Sequence, residues 1–249
     1  MTGIFFIARL ESKRLKQKHL INVGSKCIIE WLYERFLYEF KQEVENGKIK
    51  LFITTGNKKV NNDLEKTIKN ENIKIFYGDT QNIPNRMLQC AIQNNISKII
   101  AIDGDDILCS TSYARKVIQE LENNSFVSTR GLPLGMNITG FTTELLKKLN
   151  PSKYKRLETG WGKIFENEDS YLIKANSNLE FDNIRITLDY KEDLKFFESI
   201  IGYLGNKILK IKDEDLLLTI KKNHFYKINS FLSEVYWKNF NKQKALDDK

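Results

Sequence analysis

Along this chain apolar residues gather in short runs, and the stretches between them repeat apolar positions at helical spacing. Ile4–Ala8, Ile49–Thr54, Ile73–Tyr77, Lys98–Ile102 and Phe126–Thr129 read as strands, each bounded by polar or turn residues. Ser25–Glu45 carries Ile28, Ile29, Leu32, Phe36, Leu37 and Phe40 on a helical repeat. Val60–Asn70, Pro84–Asn94 and Ser112–Asn123 follow as helices. Pro84 suits the first turn of its helix, where a missing N–H loses no partner. This alternation predicts an α/β fold: a Rossmann-like, mainly parallel sheet with helices on both faces. Past Asn150 the rhythm loosens. Tyr171–Lys174 and Ile184–Leu188 read as strands, and Lys191–Leu204, Asp213–Lys222 and Ser230–Asn241 as helices. The closing "KQKALDDK" reads as a frayed end. Only three prolines and no Gly/Ser/Pro-rich linker interrupt the chain, so residues 1–249 are expected to form one domain, with a helical extension from about 205 to 249.

Composition narrows the class. Hydrophobic residues make up 41% of the chain and charged ones 29%, ordinary for a globular protein in water. No apolar run approaches the ~20 residues of a membrane helix, and "GIFFIA" is too short for a signal-peptide core. The expected setting is the cytoplasm, with no membrane partner. Cys27, Cys90 and Cys109 are odd in number and far apart, without zinc or redox spacing, and read as buried free thiols. Net charge is +8, but the lysines are spread along helices. A nucleic-acid partner, which needs a broad basic face, is not expected. Like charge concentrates only after the first strand, where Arg9, Lys13, Arg14, Lys16, Lys18 and His19 oppose a single Glu11. That loop suits a small polyanion.

Ligands of open α/β sheets bind beyond the carboxyl ends of the strands, and two opposite kinds of residue stand there. The first strand runs into the basic loop. Gly78 and Asp79, then Asn85 and Arg86, follow the third strand; Asp103, Gly104, Asp105 and Asp106 follow the fourth. Asp189 follows "NIRIT", and Asp193 reads as a favourable first-turn charge of the next helix. Carboxylates that hold Mg²⁺, beside cations that neutralise phosphate oxygens, are the parts of metal-assisted phosphate chemistry. His19 and His224 have no triad partner in the sequence and read as structural or surface residues.

"IARLESKRLKQKHL" resembles the opening A-R-x-x-S-x-R-L-P-x-K-x-L of cytidylyltransferases that activate acidic sugars and surface-glycan components. These are the 3-deoxy-manno-octulosonate, acylneuraminate and spore-coat polysaccharide types. "GSKCIIEWLYERF" is similar to that family's next helix, and "FYGDTQNIPNRMLQCA" to its G-x-n-D-V-L-x-R stretch through Gly78, Asn85 and Arg86. "IDGDDIL" resembles its T-G-D-C-P-L strand through Asp105, and "IRITLDYKEDL" its R-L-T-V-D-Y-P-E-D-L through Asp189. "DEDLLLTIKKNHFYKIN" is similar to its closing helix.

The resemblance implies a GT-A-like nucleotidyltransferase fold, Mg²⁺ as cofactor and homodimers. It implies transfer of CMP from CTP to an acidic-sugar, phosphorylated or phosphonate acceptor, releasing pyrophosphate, for surface polysaccharide synthesis. Arg9, Ser12, Arg14 and Lys18 would hold the triphosphate, with Gly78 and Arg86 along the cytidine; Ala8 and Asn85 complete the nucleotide-binding set. Asp105 and Asp189 would ligate the metal, and Arg14, Lys18 and Asp105 form the catalytic set.

Three departures matter. Lys16-Gln17 replaces the family's Pro-Gly, Ile107-Leu108 its Pro-Leu with Asp106 added, and "RLETGWGKIF" stands where "REHVT" is expected. Lys13 and Lys16 fall off the pattern and read as plain surface. Glu158, Trp161 and Lys163 become candidate acceptor residues, with Pro133 and Gly135 of "LPLGMNITGF"; the alternative for "RLETGWGKIF" is a turn held by a buried tryptophan. Two other readings stay open. One is a glycosyltransferase with Asp103-Gly104-Asp105 as a D-x-D motif; the other is an idle relative that binds nucleotide without turnover.

Overall fold

Both faces of the opening strand are buried, and that fixes the layers of the molecule. The computed structural model describes residues 1–12, 14–175 and 183–247. Its strands are β1 (Thr2–Ile7), β2 (Asn22–Val23), β3 (Lys26–Cys27), β4 (Ile49–Thr55), β5 (Ile73–Tyr77), β6 (Lys98–Asp103), β7 (Phe126–Arg130), β8 (Thr139–Thr142) and β9 (Tyr171–Lys174). Successive side chains of a strand point to opposite faces. Ile4 and Phe6 of β1 therefore enter one apolar cluster, and Phe5 and Ile7 the other. In β6, Ile100 and Ile102 divide from Ile99 and Ala101 in the same way.

Helices supply the outer layers: α1 (Ile28–Glu39), α2 (Lys41–Glu45), α3 (Lys58–Asn61), α4 (Asp63–Thr67), α5 (Ile83–Gln93), α6 (Thr111–Glu120), α7 (Thr143–Lys148), α8 (Lys191–Leu204), α9 (Asp213–Lys222) and α10 (Leu232–Asp247). Phe36 of α1, Val117 of α6, Phe197 of α8 and Leu216 of α9 join the first cluster; Met87 and Cys90 of α5 and Leu145 and Leu146 of α7 join the second. Each such side chain contributes about 1.5–3 kcal/mol on burial. Cys27, Cys90 and Cys109 are buried free thiols, as expected.

Among the described residues seven strands form one sheet in the order β5-β4-β1-β6-β8-β7-β9, and β2 with β3 makes a separate hairpin. β5, β4, β1 and β6 are parallel. β8 is antiparallel to both β6 and β7, and β9 joins β7 in parallel. The expected α/β architecture is present. Among the described residues, no helix is long and apolar enough to cross a membrane.

Several local expectations are corrected. The helix expected over Ser25–Glu45 begins only at Ile28, after β3, where the Cys27 N–H donates to Glu30 Oε2 at 2.8 Å; it breaks at Phe40, whose φ is −110°. Val60–Asn70 is two short helices, with only Leu64 and Ile68 as buried apolar residues to hold them. β8 and α7 were not foreseen. Ile184–Leu188 is not a strand. The Ile186 N–H donates to the Leu134 carbonyl at 2.8 Å and the Leu188 N–H to that of Asp105 at 3.0 Å; with loops as partners, only an isolated bridge forms, at Leu134 and Arg185. The closing residues stay helical through Asp247. Asp248 and Lys249 lie outside the described residues, as does Lys13 with its expected surface role.

Candidate active site

Register brings the two charged loops together. Ile7 of β1 lies beside Asp103 of β6, so the basic loop and the acidic turn leave the sheet side by side. The Gly104 N–H donates to the Ile7 carbonyl at 2.8 Å, and a Cβ at position 104 would stand 2.7 Å from that oxygen. Only glycine allows the approach.

Lys18 occupies the centre. Its ammonium donates to Asp105, to the Leu188 carbonyl at 2.8 Å and to Asp189 at 3.4 Å. Arg14 donates to the same Asp189 oxygen and lies over the Tyr190 ring. Residues from three distant motifs thus meet in one cluster. Burial works against the Lys18 charge, but Asp105 and Asp189 outweigh it and hold the lysine above its usual range. Burial also works against ionisation of Asp105; the Lys18 ammonium overcomes it, holding the carboxyl below its usual range. The neighbouring acids move the other way. Burial, then the Asp105 charge, pushes Asp103 up to about 6 and Asp106 well above the carboxylate range. His19 is buried with Nδ1 3.2 Å from the Gly104 carbonyl oxygen, and burial holds it down to about 4. It is a neutral structural residue in the wall of the site.

Asp189 is braced from behind by Arg185, a residue the sequence reading missed. Arg185 is fully buried; Nη2 donates to Asp189 at 3.0 Å, and Nε and Nη2 donate to Asp193 at 2.9 and 3.1 Å. Asp193 Oδ2 also accepts the N–H groups of Asp189 and Tyr190 at 2.9 and 3.0 Å, and Asn229 donates to Oδ1 at 2.9 Å. Asp193 thus serves the first turn of α8, as expected, and neutralises Arg185 as well. The available signal was the spacing Arg185, Asp189, Asp193.

Above this cluster lies a cavity of about 270 Å³. Of the expected residues, Ala8, Arg9, Arg14, Lys18, Arg86, Asp105, Glu158, Trp161 and Asp189 line it. Arg9 is paired with Glu158, and Trp161 Nε1–H donates to Asp103 at 3.0 Å. Arg86 is buried, which lowers its pKa to about 10, and its Nε has no hydrogen-bond partner. The Ala8 N–H is already given to the Thr54 carbonyl at 3.1 Å.

The other expected residues do not line the cavity. Ser12 Oγ accepts the Leu15 N–H at 3.3 Å, and Asn85 donates to Asp79 at 2.8 Å. Gly78 is pressed against Gln89 and Arg86. Pro133 and Gly135 flank Leu134, which does line the cavity. Gly135 has φ +90°, and a Cβ there would fall 1.9 Å from the Ile186 oxygen. Lys163 lines an adjoining hollow. Gln17 stands where the family pattern has glycine and adopts the left-handed conformation that position implies, with φ 50°. Tyr236, Asn239 and Phe240 of α10 also line the cavity, and no sequence signal marked them.

The donor set suits a hard divalent cation. Asp105 and Asp189 reach one positive charge, the Lys18 ammonium, from separate loops. Among the described residues no three His, Cys, Asp or Glu side chains make a closed cage. Mg²⁺ takes one or two carboxylates and completes its shell with phosphate and water.

The cytidylyltransferase family model matches residues 4–227. The chain belongs to the cytidylyltransferase family. This cytidylyltransferase resembles one from Leptospira borgpetersenii serovar Hardjo-bovis, with TM-score 0.75 and 25% identity over 90% of this chain and 95% of that one. An uncharacterized protein of Methanocaldococcus jannaschii is 29% identical over 198 residues, 76% of this chain and 79% of its own. The fold is shared with CMP:2-keto-3-deoxy-manno-octonic acid synthetase, solved in complex with CTP, at TM-score 0.57 and 12% identity over 81% of this chain and 98% of that one. The family makes the enzyme a CTP-dependent nucleotidyltransferase and gives the glycosyltransferase reading no support.

Proposed function

We propose that this cytidylyltransferase transfers CMP from CTP to an anionic small molecule, a sugar acid or a phosphorylated or phosphonate compound, in making surface polysaccharide precursors. The observation that carries the reading is the meeting of Arg14, Lys18, Asp105 and Asp189 at one point. An acceptor oxygen attacks the α-phosphorus of CTP, a new P–O bond forms there, and the bond to pyrophosphate breaks in line. Arg9, Arg14 and Arg86 hold the nucleotide. Lys18 stands where charge grows on the phosphate oxygens, an interaction worth a few kcal/mol in a water-poor site. Asp105 and Asp189 would hold Mg²⁺, which when bound neutralises phosphate charge. Glu158 and Trp161 stand on the acceptor side. The whole chain serves as one unit, cytoplasmic and homodimeric; edge strand β9, with Tyr171 and Leu172 exposed on its two faces, offers an edge to a second copy.

Incubated with CTP, Mg²⁺ and a panel of sugar acids and sugar phosphates, the enzyme is expected to release pyrophosphate. Asp105→Asn and Asp189→Asn should each slow this by about 10²–10³-fold. Release of UDP from a nucleotide sugar, with no pyrophosphate from CTP, overturns the reading. Substitutions that leave CTP–Mg²⁺ affinity and turnover unchanged remove the metal site from it.

A further inference from the structure

A second hollow of about 400 Å³ adjoins the catalytic cavity. The two share Asp103, Gly160, Trp161 and Phe240, so they meet at Asp103, beside the turn that carries Asp105. The size falls in the ~300–1,000 Å³ range of small-molecule clefts. Its character differs from that of the cavity. Where the cavity presents arginines and Lys18, the hollow presents the shared Trp161 and Phe240 rings and a stretch of glycine backbone, with Asp103, Lys163 and Glu166 at its polar rim; at Gly162 an added Cβ would meet nothing within 4 Å. Aromatic faces beside polar groups suit a molecule with an apolar C–H face and a polar rim. A sugar ring has both; an open-chain polyol has no such face.

Phe240 comes from α10, which begins beyond residue 227, where the family match ends. The helix is tied to the brace of the catalytic centre. The Arg185 guanidinium lies 4.5 Å from the Tyr236 ring centre, and Asn239 donates to the Tyr190 hydroxyl at 3.0 Å. Phe240 stacks on Tyr236, with centroids 6.0 Å apart, and meets Trp237 edge-on at 5.7 Å. The same arginine that holds Asp189 therefore also sets the position of Phe240.

We propose that α10 is the acceptor-selecting element of this enzyme: Phe240, with Trp161, forms the wall on which a pyranose acceptor lies with its oxygen toward the α-phosphorus. This rests on the reading that CMP is transferred at the Asp105–Asp189 cluster. Calorimetric titration of CTP with Mg²⁺ comes first, on wild type, Phe240→Ala, Phe240→Tyr and, as a control on the exposed side of α10, Val235→Ala. CTP affinity of Val235→Ala should agree with wild type within about twofold, and the Phe240 variants, at a residue that lines the cavity, should retain CTP binding. Saturation-transfer NMR with CMP present then compares 3-deoxy-manno-octulosonate and N-acetylneuraminate with glycerol 3-phosphate and ribitol 5-phosphate. The ring probes should bind wild type better than the open-chain ones. Phe240→Ala should weaken the ring probes by about three- to tenfold, Phe240→Tyr should restore them and Val235→Ala should change nothing. The proposal is overturned if no ring probe binds, if open-chain probes bind as well, or if Phe240→Ala leaves ring binding intact while CTP still binds. Failure of wild type to bind CTP overturns the proposed function itself.

Discussion

The two sides of the catalytic cavity are built on different terms. Around Asp105 and Asp189 the carboxylates are mostly buried and so are two of the cations: Lys18 pairs with both, and Arg185 with Asp189 and Asp193, while Arg14 reaches Asp189 from the half-exposed rim. On the Glu158–Trp161 side the pair has no buried cation: Arg9 is 44% exposed against a Glu158 side chain that is 7% exposed, and Trp161 and Phe240 supply rings to the wall beside it. Buried ions cost several kcal/mol each to desolvate and persist only with complete partners. An exposed pair contributes about 0–1 kcal/mol and exchanges readily. The first arrangement fixes a geometry, as holding a metal and a triphosphate requires. The second leaves room for an acceptor to displace one contact and make another.

The contrast breaks most visibly at Arg185. Arg185→Met leaves Asp193, fully buried, without its cation, and should lower unfolding stability by about 3–5 kcal/mol in a urea titration. Adding Asp193→Asn, which removes the unpaired charge and keeps an acceptor for the Asp189 and Tyr190 N–H groups, should recover part of the loss, and a single variant within about 1 kcal/mol of wild type would put this side on the same footing as the other. His19 tests the same side through pH. Burial holds its folded pKa at about 4, against about 6.5 in the unfolded chain. The unfolded state therefore binds more protons in this window. The contribution of His19 is complete above about pH 6.5 and is lost as pH falls towards 4, at up to about 1.4 kcal/mol per unit. His19→Gln should flatten the stability–pH curve over that window. Asp103, pushed up to about 6, acts with the opposite sign in both proteins and cancels in the comparison. An unchanged slope would show that the imidazole is not held neutral. Glu158→Gln is the mildest change. It frees Arg9 and should shift stability by less than about 1 kcal/mol and the KM for CTP by no more than about threefold, measured by pyrophosphate release. A larger effect would place Glu158 with the fixed side.

The sequence was most legible where periodicity and burial agree. β1, β4, β5 and β6 are buried or apolar enough to read directly, and the loops at their carboxyl ends yielded Arg14, Lys18 and Asp105. Asp189 was legible from its motif, although the segment before it is no strand. That same misreading hid Arg185. In a strand, Ile184, Ile186 and Leu188 would face inward and Arg185 outward; the loop partners of this segment let Arg185 bury completely. β8, "TGFT", is four residues long and half polar, too weak a signal for a strand in a sheet. The aromatic residues of α10 gave a helical pattern, but spacing along a helix does not say where in the molecule the helix docks. Glu158 and Trp161 were found by elimination within an unmatched segment, and both line the cavity.

The separation of partners along the chain bears on how the enzyme is born. Arg14 waits 175 positions for Asp189, and Lys18 waits 170 for the Leu188 carbonyl. At ~5–20 residues per second on the ribosome, that is roughly 9–35 s during which the basic loop has emerged and its carboxylates have not. α10 follows later still. The grip on nucleotide is thus completed long after its basic loop is synthesised, and a growing chain does not assemble the cavity until α10 has been translated.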